Sequence, residues 1–244
     1  MFKHFALLLV GLLAISACGT GANGGASAAP AATPAAQASA PAEVAHDWQL
    51  GADYKLIDPR VPTATGDKIE VAEVFSYACP HCAHFQPFMD ELKAKLPANA
   101  QIVLIPAVFN PSWEPFARAF YAARSMGILD KTHQALFDAL HRDNLPLGDL
   151  QALSGFYAQH SGVSAAAFMS TASSFIVDSQ IARGNQLVRD YGVSATPTLV
   201  VNGKYRVEMS AERHIGPAEA IDIVLFLVKQ ESAQVKVGAA KPNS

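Results

Sequence analysis

The sequence carries little charge of either sign. Only 16% of its 244 residues are charged, with 18 Lys and Arg against 21 Asp and Glu. Because there is no basic excess, binding to nucleic acid through phosphate contacts is not expected. Cysteine is also scarce, and three cysteines are too few for a disulfide-stapled scaffold or a repeated metal-finger array. Their odd number predicts that one thiol behaves differently from the other two.

Half of the residues are hydrophobic, and part of this fraction comes from an apolar run at 5–17. The run follows Lys3 and is shorter than the roughly 20 residues that span a bilayer, which is typical of an export signal. It ends in Ile15-Ser16-Ala17-Cys18, which resembles a bacterial lipobox. We therefore expect residues 1–17 to be a signal peptide and Cys18 to be acylated after cleavage. Ordinary signal cleavage a few residues further on is the alternative.

The next segment lacks the means to form a core. From Gly19 to Ala42 there is no charged and no large apolar side chain, so burial cannot offset the entropy of ordering the chain. Residues 18–46 are therefore predicted to be a flexible tether. The folded domain is expected at 47–231, a length that can bury a core without disulfides. The polar residues 232–244 are predicted to be a disordered tail.

Hydrophobic periodicity predicts alternating strands and helices in the folded part. Asn202-Gly203 between two apolar runs is the signal of a hairpin with a type I′ turn. The predicted strands are 69–76, 101–107, 198–201 and 205–207. The predicted helices are one that follows Cys79 as far as Leu96, and then 113–126, 130–141, 147–160, 164–171, 175–191 and 217–229.

The motif Cys79-Pro80-His81-Cys82 lies where a strand leads into a helix. A helix N-terminus offers free N–H groups and a positive potential, which favour Cys79 as a thiolate. Two intervening residues bring Cys82 within bonding distance one turn later. His81 adds a polar partner, and Pro80 suits the first helical position because no N–H is needed there. A stable thiolate favours the reduced pair, so the disulfide is expected to be reactive and oxidising.

The cysteine pair could also belong to a haem site, a zinc site or a structural disulfide. A c-type haem site needs a His directly after the second cysteine, but Ala83 occupies that position. A zinc site could use Cys79, Cys82 and His84, but it would need a fourth ligand. A structural disulfide is possible in an exported protein, although so small a loop would stabilise the fold little.

Two further features accompany the pair. Glu73 lies on the same strand face as Val71 and Phe75, so an acid is expected among apolar neighbours. A strand acid that faces solvent is the alternative. Thr196-Pro197 precedes an apolar strand, where a proline suits a cis turn at the strand start. By itself, this position favours a plain trans proline at the entry to an edge strand. Together with the cysteine pair and the order of the elements, it favours the cis turn.

Taken together, the Cys-Pro-His-Cys motif after a strand, the Thr-Pro before the hairpin, and the helical block between them resemble the DsbA-type thiol:disulfide oxidoreductases. The lipobox is similar to that of lipid-anchored members. The resemblance implies an α/β, thioredoxin-like fold with an inserted α-helical domain at about 109–182. Such an insertion agrees with the 118 positions between Cys79 and Pro197.

The resemblance also implies roles for individual residues. Cys79 would be the nucleophile that forms mixed disulfides, and Cys82 its buried partner. Pro80 and His81 would set the redox poise.

Three more residues gain a role from the same resemblance. Thr196 and Pro197 would line the site, with the Thr196 backbone pairing with a bound peptide. Glu73 matches the buried acid of the family, which assists proton transfer at the second cysteine. Some members carry a basic residue near that acid, whereas this chain has Leu104 and Ile105, so a charge partner for Glu73 is in doubt.

The implied activity is disulfide formation in reduced, unfolded exported proteins, followed by reoxidation through a DsbB-type membrane partner. The redox-active disulfide would replace any cofactor, and no metal is expected. The implied location is the periplasm, with attachment to a membrane through lipidated Cys18. A disulfide isomerase or reductase is one alternative, and a non-enzymatic lipoprotein that binds metal or peptides is another. The remaining histidines are interpreted as surface or capping residues: His84, His133, His141, His160 and His214.

Overall fold

The computed structural model describes residues 47–239, and their side chains as far as residue 234. A five-stranded mixed sheet with the order β1-β5-β4-β2-β3 forms the centre of the fold. Its strands are β1 (Lys55–Leu56), β2 (Ile69–Phe75), β3 (Ala100–Pro106), β4 (Thr198–Val201) and β5 (Tyr205–Glu208). Only β2 and β3 are parallel, and β2 is buried along its whole length because it is central and covered on both faces.

Within residues 47–239, seven helices surround the sheet or form the segment between β3 and β4. They are α1 (Pro80–Lys95), α2 (Glu114–Ser125), α3 (Leu129–His141), α4 (Leu150–Ser161), α5 (Ala165–Ala172), α6 (Phe175–Asp190) and α7 (Pro217–Ala239). A 3-10 turn at Pro111–Trp113 leads into α2. The α/β fold with a helical region inserted between strands is therefore confirmed.

Buried side chains form separate cores on the two faces of the sheet and within the helical region. One face of the sheet packs against α1 and α7, with Val71 and Leu199 in that core. The opposite face holds Val188 of α6, whereas Ile181 of the same helix belongs to the core of the helical region. The helix α6 therefore crosses from the helical region to the sheet.

The β4–β5 hairpin turns as its sequence predicts. Asn202 and Gly203 have φ values of 55° and 62°, which a type I′ turn requires at both central positions. Gly203 is needed for a second reason, because a Cβ at this position would collide with the carbonyl of Val61. The hairpin thus fixes the register of β4, the strand that follows Pro197.

The C-terminal helix is longer than predicted. It continues to Ala239, so the predicted disordered tail at 232–244 is wrong for residues 232–239, and residues 240–244 lie outside the described residues. The Ser232 hydroxyl donates to the carbonyl of Val228 and accepts from Asn99 Nδ2 at 3.0 Å, which ties this turn to the protein. The predicted signal peptide, Cys18 and the tether also lie outside the described residues. No described helix is long and apolar enough to cross a membrane.

Candidate active site

Cys79 lies at the junction that the sequence indicates. It is the N-cap residue of α1, four positions after the end of β2, and Pro80 occupies the first helical position. Cys82 lies in the first turn of α1, and its N–H donates to the Cys79 carbonyl at 3.1 Å. Both thiols are free and buried, with 6% of Cys79 and none of Cys82 exposed. The pair is therefore placed against the N–H groups of a helix start, where a thiolate is stabilised.

The surroundings of Cys79 lower its pKa to about 5. Hydrogen bonding from the Cys82 thiol is the largest cause, and it outweighs the opposing effect of burial. Thr196 and the backbone N–H groups of Cys82 and His81 add to the lowering. When it is protonated, Cys79 Sγ lies 3.4 Å from the Thr196 carbonyl oxygen and donates to it. The contribution of His81 comes through its backbone, while its side chain is exposed.

Cys82 behaves in the opposite way. Burial is the main cause that raises its pKa far above that of a free thiol, and its hydrogen bond to Cys79 acts in the same direction. In the reduced pair, one sulfur is therefore ionised and the other holds its proton at neutral pH. This asymmetry makes Cys79 the better leaving group in a disulfide exchange.

Glu73 is completely buried, so the prediction of an acid among apolar neighbours is confirmed and the solvent-facing alternative is excluded. It lies opposite Leu104 of β3 and Leu199 of β4, and neither of its carboxyl oxygens has a hydrogen-bond partner. Burial, followed by the charge of Cys79, raises the pKa of Glu73 to about 8. Glu73 also lines a cleft of about 1040 Å³ between β3, α1 and α3.

Thr196-Pro197, which follows the inserted helical region in the sequence, is the third part of the site. The peptide bond is cis, as predicted. Thr196 is half-buried and Pro197 is buried next to the start of β4. A second cis peptide bond, which the sequence analysis did not predict, joins Asp58 to Pro59.

The structure brings most of the predicted site residues together, although they come from three parts of the sequence. Cys79, Cys82 and Thr196 are in direct hydrogen-bond contact. Glu73 is near enough for its charge to raise the pKa of Cys82 and for the charge of Cys79 to raise the pKa of Glu73. Pro80 is exposed at the start of the helix. Among residues 47–234, no group of three or more His, Cys, Asp or Glu side chains is arranged to hold a metal ion.

Two histidines that were predicted to be surface or capping residues contact the active-site loop instead. His133 Nδ1 is 2.7 Å from the hydroxyl of Tyr77, and His141 Nε2 is 2.7 Å from the carbonyl oxygen of the same residue. Burial lowers the pKa of His133 to about 4, against the opposing charge of Asp130. The signal available in the sequence was the spacing of His133, Phe137 and His141, which places all three on one face of α3.

Comparisons with known proteins agree with this arrangement. The family described as a DSBA-like thioredoxin domain matches residues 70–214. The thiol:disulfide interchange protein DsbA of Pseudomonas aeruginosa is 35% identical over 195 residues, which cover 80% of this chain and 91% of that protein. The corresponding protein of Azotobacter vinelandii is 36% identical over 189 residues, covering 77% of this chain and 87% of that protein.

Solved structures show the same relation. The crystal structure of Xylella fastidiosa oxidoreductase DsbA matches with a TM-score of 0.71 and 34% identity, covering 77% of this chain and all of that one. That of Pseudomonas aeruginosa DsbA matches with a TM-score of 0.72 and 35% identity, covering 78% and 97%. The chain therefore belongs to the DsbA-like thioredoxin family and is a disulfide-forming thiol:disulfide oxidoreductase of the DsbA type.

Proposed function

We propose that this oxidoreductase forms disulfides in reduced, unfolded exported proteins, and that Cys79 is the sulfur that exchanges with them. The opposite pKa shifts of Cys79 and Cys82 carry the proposal. Of the two sulfurs, Cys79 is the one next to the exposed residues Pro80 and His81, whereas Cys82 exposes no surface. A client thiolate can therefore approach Cys79 and not Cys82.

The exchange proceeds in two steps. In the first, a client thiolate attacks Cys79 Sγ, the Cys79–Cys82 bond breaks, and Cys82 leaves as a thiolate that takes up a proton. In the second, another client thiolate attacks the client sulfur of the mixed disulfide, and Cys79 leaves as a thiolate. The client is oxidised by two electrons and the cysteine pair is reduced. Because the leaving thiolate of the second step is stabilised, release is favoured; DsbA proteins are themselves a standard example of this relation.

Glu73 is proposed to supply the proton that Cys82 takes up. Its pKa of about 8 keeps the carboxyl protonated at neutral pH. Glu73 is also close enough to Cys82 that, when ionised, it raises the pKa of that thiol. A proton donor works best when its pKa is close to the working pH. Neither carboxyl oxygen has a hydrogen-bond partner among the described residues, so no such bond has to break before the proton is transferred.

Thr196 and Pro197 are proposed to bind the extended backbone of the client next to Cys79. The supporting observation is that the Thr196 carbonyl already lies 3.4 Å from the exchanging sulfur. A peptide that pairs with this segment would bring its own cysteine close to Cys79. Pro80 and His81 are proposed to set the redox poise from the start of α1, where the N–H of His81 contributes to the low pKa of Cys79.

The decisive test mixes the reduced single-cysteine variants with a peptide whose one cysteine carries a thiopyridyl disulfide, and follows one turnover. We expect the Cys79 thiolate of Cys82→Ser to attack the peptide sulfur, release thiopyridone and remain as a mixed disulfide, because no second thiol of the protein can resolve it. Cys79→Ser should remain a free thiol, because Cys82 is buried and keeps its proton. Mass spectrometry of acid-quenched samples reports both species. If Cys79→Ser retained full activity, Cys79 would not be the exchanging sulfur.

A refolding assay with a scrambled disulfide protein separates oxidase from isomerase. We expect the wild type to oxidise a reduced client quickly and to rescue the scrambled one slowly, because a Cys79 thiolate with a low pKa leaves a mixed disulfide readily but is a weak attacker of a client disulfide. Faster rescue of the scrambled client than oxidation of the reduced one would favour the isomerase.

We further propose that the protein works in the periplasm, anchored to a membrane through Cys18 and reoxidised by a DsbB-type membrane partner. The support is the run at 5–17 and the lipobox-like Ile15-Ser16-Ala17-Cys18. Mass spectrometry of the mature N-terminus tests the anchor. A mature chain that begins with diacylglyceryl Cys18 supports it, and an unmodified N-terminus at another residue contradicts it.

A further inference from the structure

The short loop that carries Cys79 is held in place through both the side chain and the backbone of one residue, Tyr77. The loop Ser76–Cys79 joins β2 to α1, and Tyr77 within it is completely buried. The Tyr77 hydroxyl lies 2.7 Å from His133 Nδ1, and the Tyr77 carbonyl oxygen lies 2.7 Å from His141 Nε2. One residue therefore ties the loop to α3 through both its side chain and its backbone.

The partners of Tyr77 form one face of α3, a helix of the inserted region. His133, Phe137 and His141 are spaced by four residues, so they follow one another along that face. The Tyr77 ring lies 4.9 Å from the Phe137 ring and 5.2 Å from the His133 ring, measured between centroids. Tyr77, Cys79 and Cys82 also belong to the same buried cluster as Phe137.

The direction of one of these bonds follows from chemistry. A carbonyl oxygen can only accept, so His141 Nε2 carries the hydrogen and donates to Tyr77. At the other end, His133 is neutral at physiological pH, because burial lowers its pKa to about 4, and it shares one hydrogen with the Tyr77 hydroxyl. Neither bond depends on a charged partner.

The loop has little freedom of its own once Tyr77 is fixed. The Cys79 N–H donates to the Ser76 carbonyl at 3.1 Å, which closes a tight turn around Tyr77. The donors that stabilise the Cys79 thiolate, including the backbone N–H groups of His81 and Cys82, begin directly after this turn. A shift of the turn would therefore change the distances from these donors to the sulfur, and hydrogen bonds weaken steeply with distance and angle.

We propose that His133 and His141 are positioning residues, whose bonds to Tyr77 hold the loop so that Cys79 Sγ stays among its hydrogen-bond donors. The inserted helical region thereby sets the reactivity of a thiol that belongs to the thioredoxin-like part. The proposal rests on the role proposed above for Cys79. It assigns the two histidines to the redox chemistry although neither contacts a cysteine.

The test compares His141→Ala, His141→Gln and a matched control, His160→Ala. His160 Nδ1 bonds the Phe156 carbonyl at 2.8 Å within α4, so His160→Ala removes a histidine-to-carbonyl bond of the helical region that does not involve the active-site loop. The measured quantities are the thiolate absorbance of Cys79 against pH, the equilibrium constant with glutathione, and the free energy of unfolding.

We expect His141→Ala to raise the titration midpoint of Cys79 by about one pH unit and to shift the glutathione equilibrium about tenfold towards the oxidised protein. His141→Gln, whose amide N–H can replace the ring donor, should restore most of both values. His160→Ala should leave the midpoint unchanged, and it should lower stability less than His141→Ala because His160 is exposed and its bond is local to α4. Tyr77→Phe removes only the hydroxyl and should give a smaller shift in the same direction.

A folded His141→Ala protein with the wild-type midpoint would overturn the proposal, as would an equal shift in His160→Ala. If His141→Ala does not fold, Tyr77→Phe decides, and an unchanged midpoint in that variant counts against the proposal. A wild-type midpoint near that of free cysteine would instead contradict the role of Cys79 itself, so the two failures are distinguishable.

Discussion

The low pKa of Cys79 predicts that ionisation of this thiol stabilises the reduced protein, and that this one contribution is lost when the protein is acidified. The perturbation is the removal of this ionisation, either by lowering the pH or by Cys79→Ser. The folded-state pKa of about 5 lies below the ordinary value of 9.0. A lowered folded-state pKa contributes stability that is complete above pH 9 and is lost as the pH falls through 5.

The magnitude at neutral pH follows from the same shift. Between pH 5 and pH 7 the folded thiol is ionised and the unfolded thiol is not, and two pH units at about 1.4 kcal/mol each give about 2.7 kcal/mol. Although Cys79 exposes only 6% of its surface, it lies beside the exposed residues Pro80 and His81, so solvent screens its charge. We therefore expect about half of this value, about 1.4 kcal/mol at pH 7.

The assay is urea unfolding of the reduced wild type and of Cys79→Ser from about pH 4 to about pH 8, with a phosphine as reductant. Both proteins should also carry Glu73→Gln, because the charge of Cys79 contributes to the pKa of Glu73 and would otherwise mix two titrations. The difference in the free energy of unfolding should be constant below about pH 5, where it holds only the effect of the changed side chain, and should grow as the pH rises.

A difference that stays constant across this range would refute the reasoning, because it would mean that the folded protein does not favour the thiolate. The thiolate absorbance of the same samples gives an independent value. Only one thiolate is expected to appear below pH 8, since Cys82 keeps its proton.

Three further predictions concern the acid, the hairpin and the C-terminal helix. Since the folded-state pKa of Glu73 is raised from 4.5 to about 8, the reduced wild type should lose stability relative to Glu73→Gln as the pH rises through this window, by at most about 5 kcal/mol in urea unfolding; equal pH profiles would contradict this. Gly203→Ala should destabilise by several kcal/mol, whereas Gly162→Ala, which has a similar positive φ but open space for a Cβ, should cost only about 1 kcal/mol; equal melting temperatures of the two variants would argue against the collision. Glu231→Ala should cost about 3 kcal/mol, because it leaves the buried Asn202 amide, now 2.6 Å from the carboxylate, without its acceptor; calorimetry that shows no loss would disprove it.

The sequence was sufficient for the elements whose residues determine their own conformation. The strand β2 is rich in β-branched and other apolar residues, the Asn202-Gly203 turn needs two positive φ values, and the Cys79-to-Cys82 motif lies at a strand-to-helix junction. In each case, local preference and the final structure agree. The burial of Glu73 was also predictable, because strand alternation fixes its face.

Other features depend on contacts between distant parts of the chain, which a single sequence does not reveal. The two-residue strand β1 exists because Lys55 and Leu56 pair with β5, and neither residue favours a strand by itself. The end of α7 depends on Asn99, which is 133 positions away from Ser232. The contacts of His133 and His141 with Tyr77 require the docking of α3 on the active-site loop, so their helical spacing alone did not distinguish them from surface histidines.

The contact between Cys79 and Thr196 joins residues that are 117 positions apart. A chain made from its N-terminus therefore contains both cysteines long before it contains the segment that completes their surroundings. Until residue 196 has been synthesised and has folded back, part of what lowers the Cys79 pKa is absent, and the sulfur stays closer to an ordinary thiol. The order of the sequence thus makes the full lowering of the Cys79 pKa a property that the chain can acquire only after residue 196 has folded back.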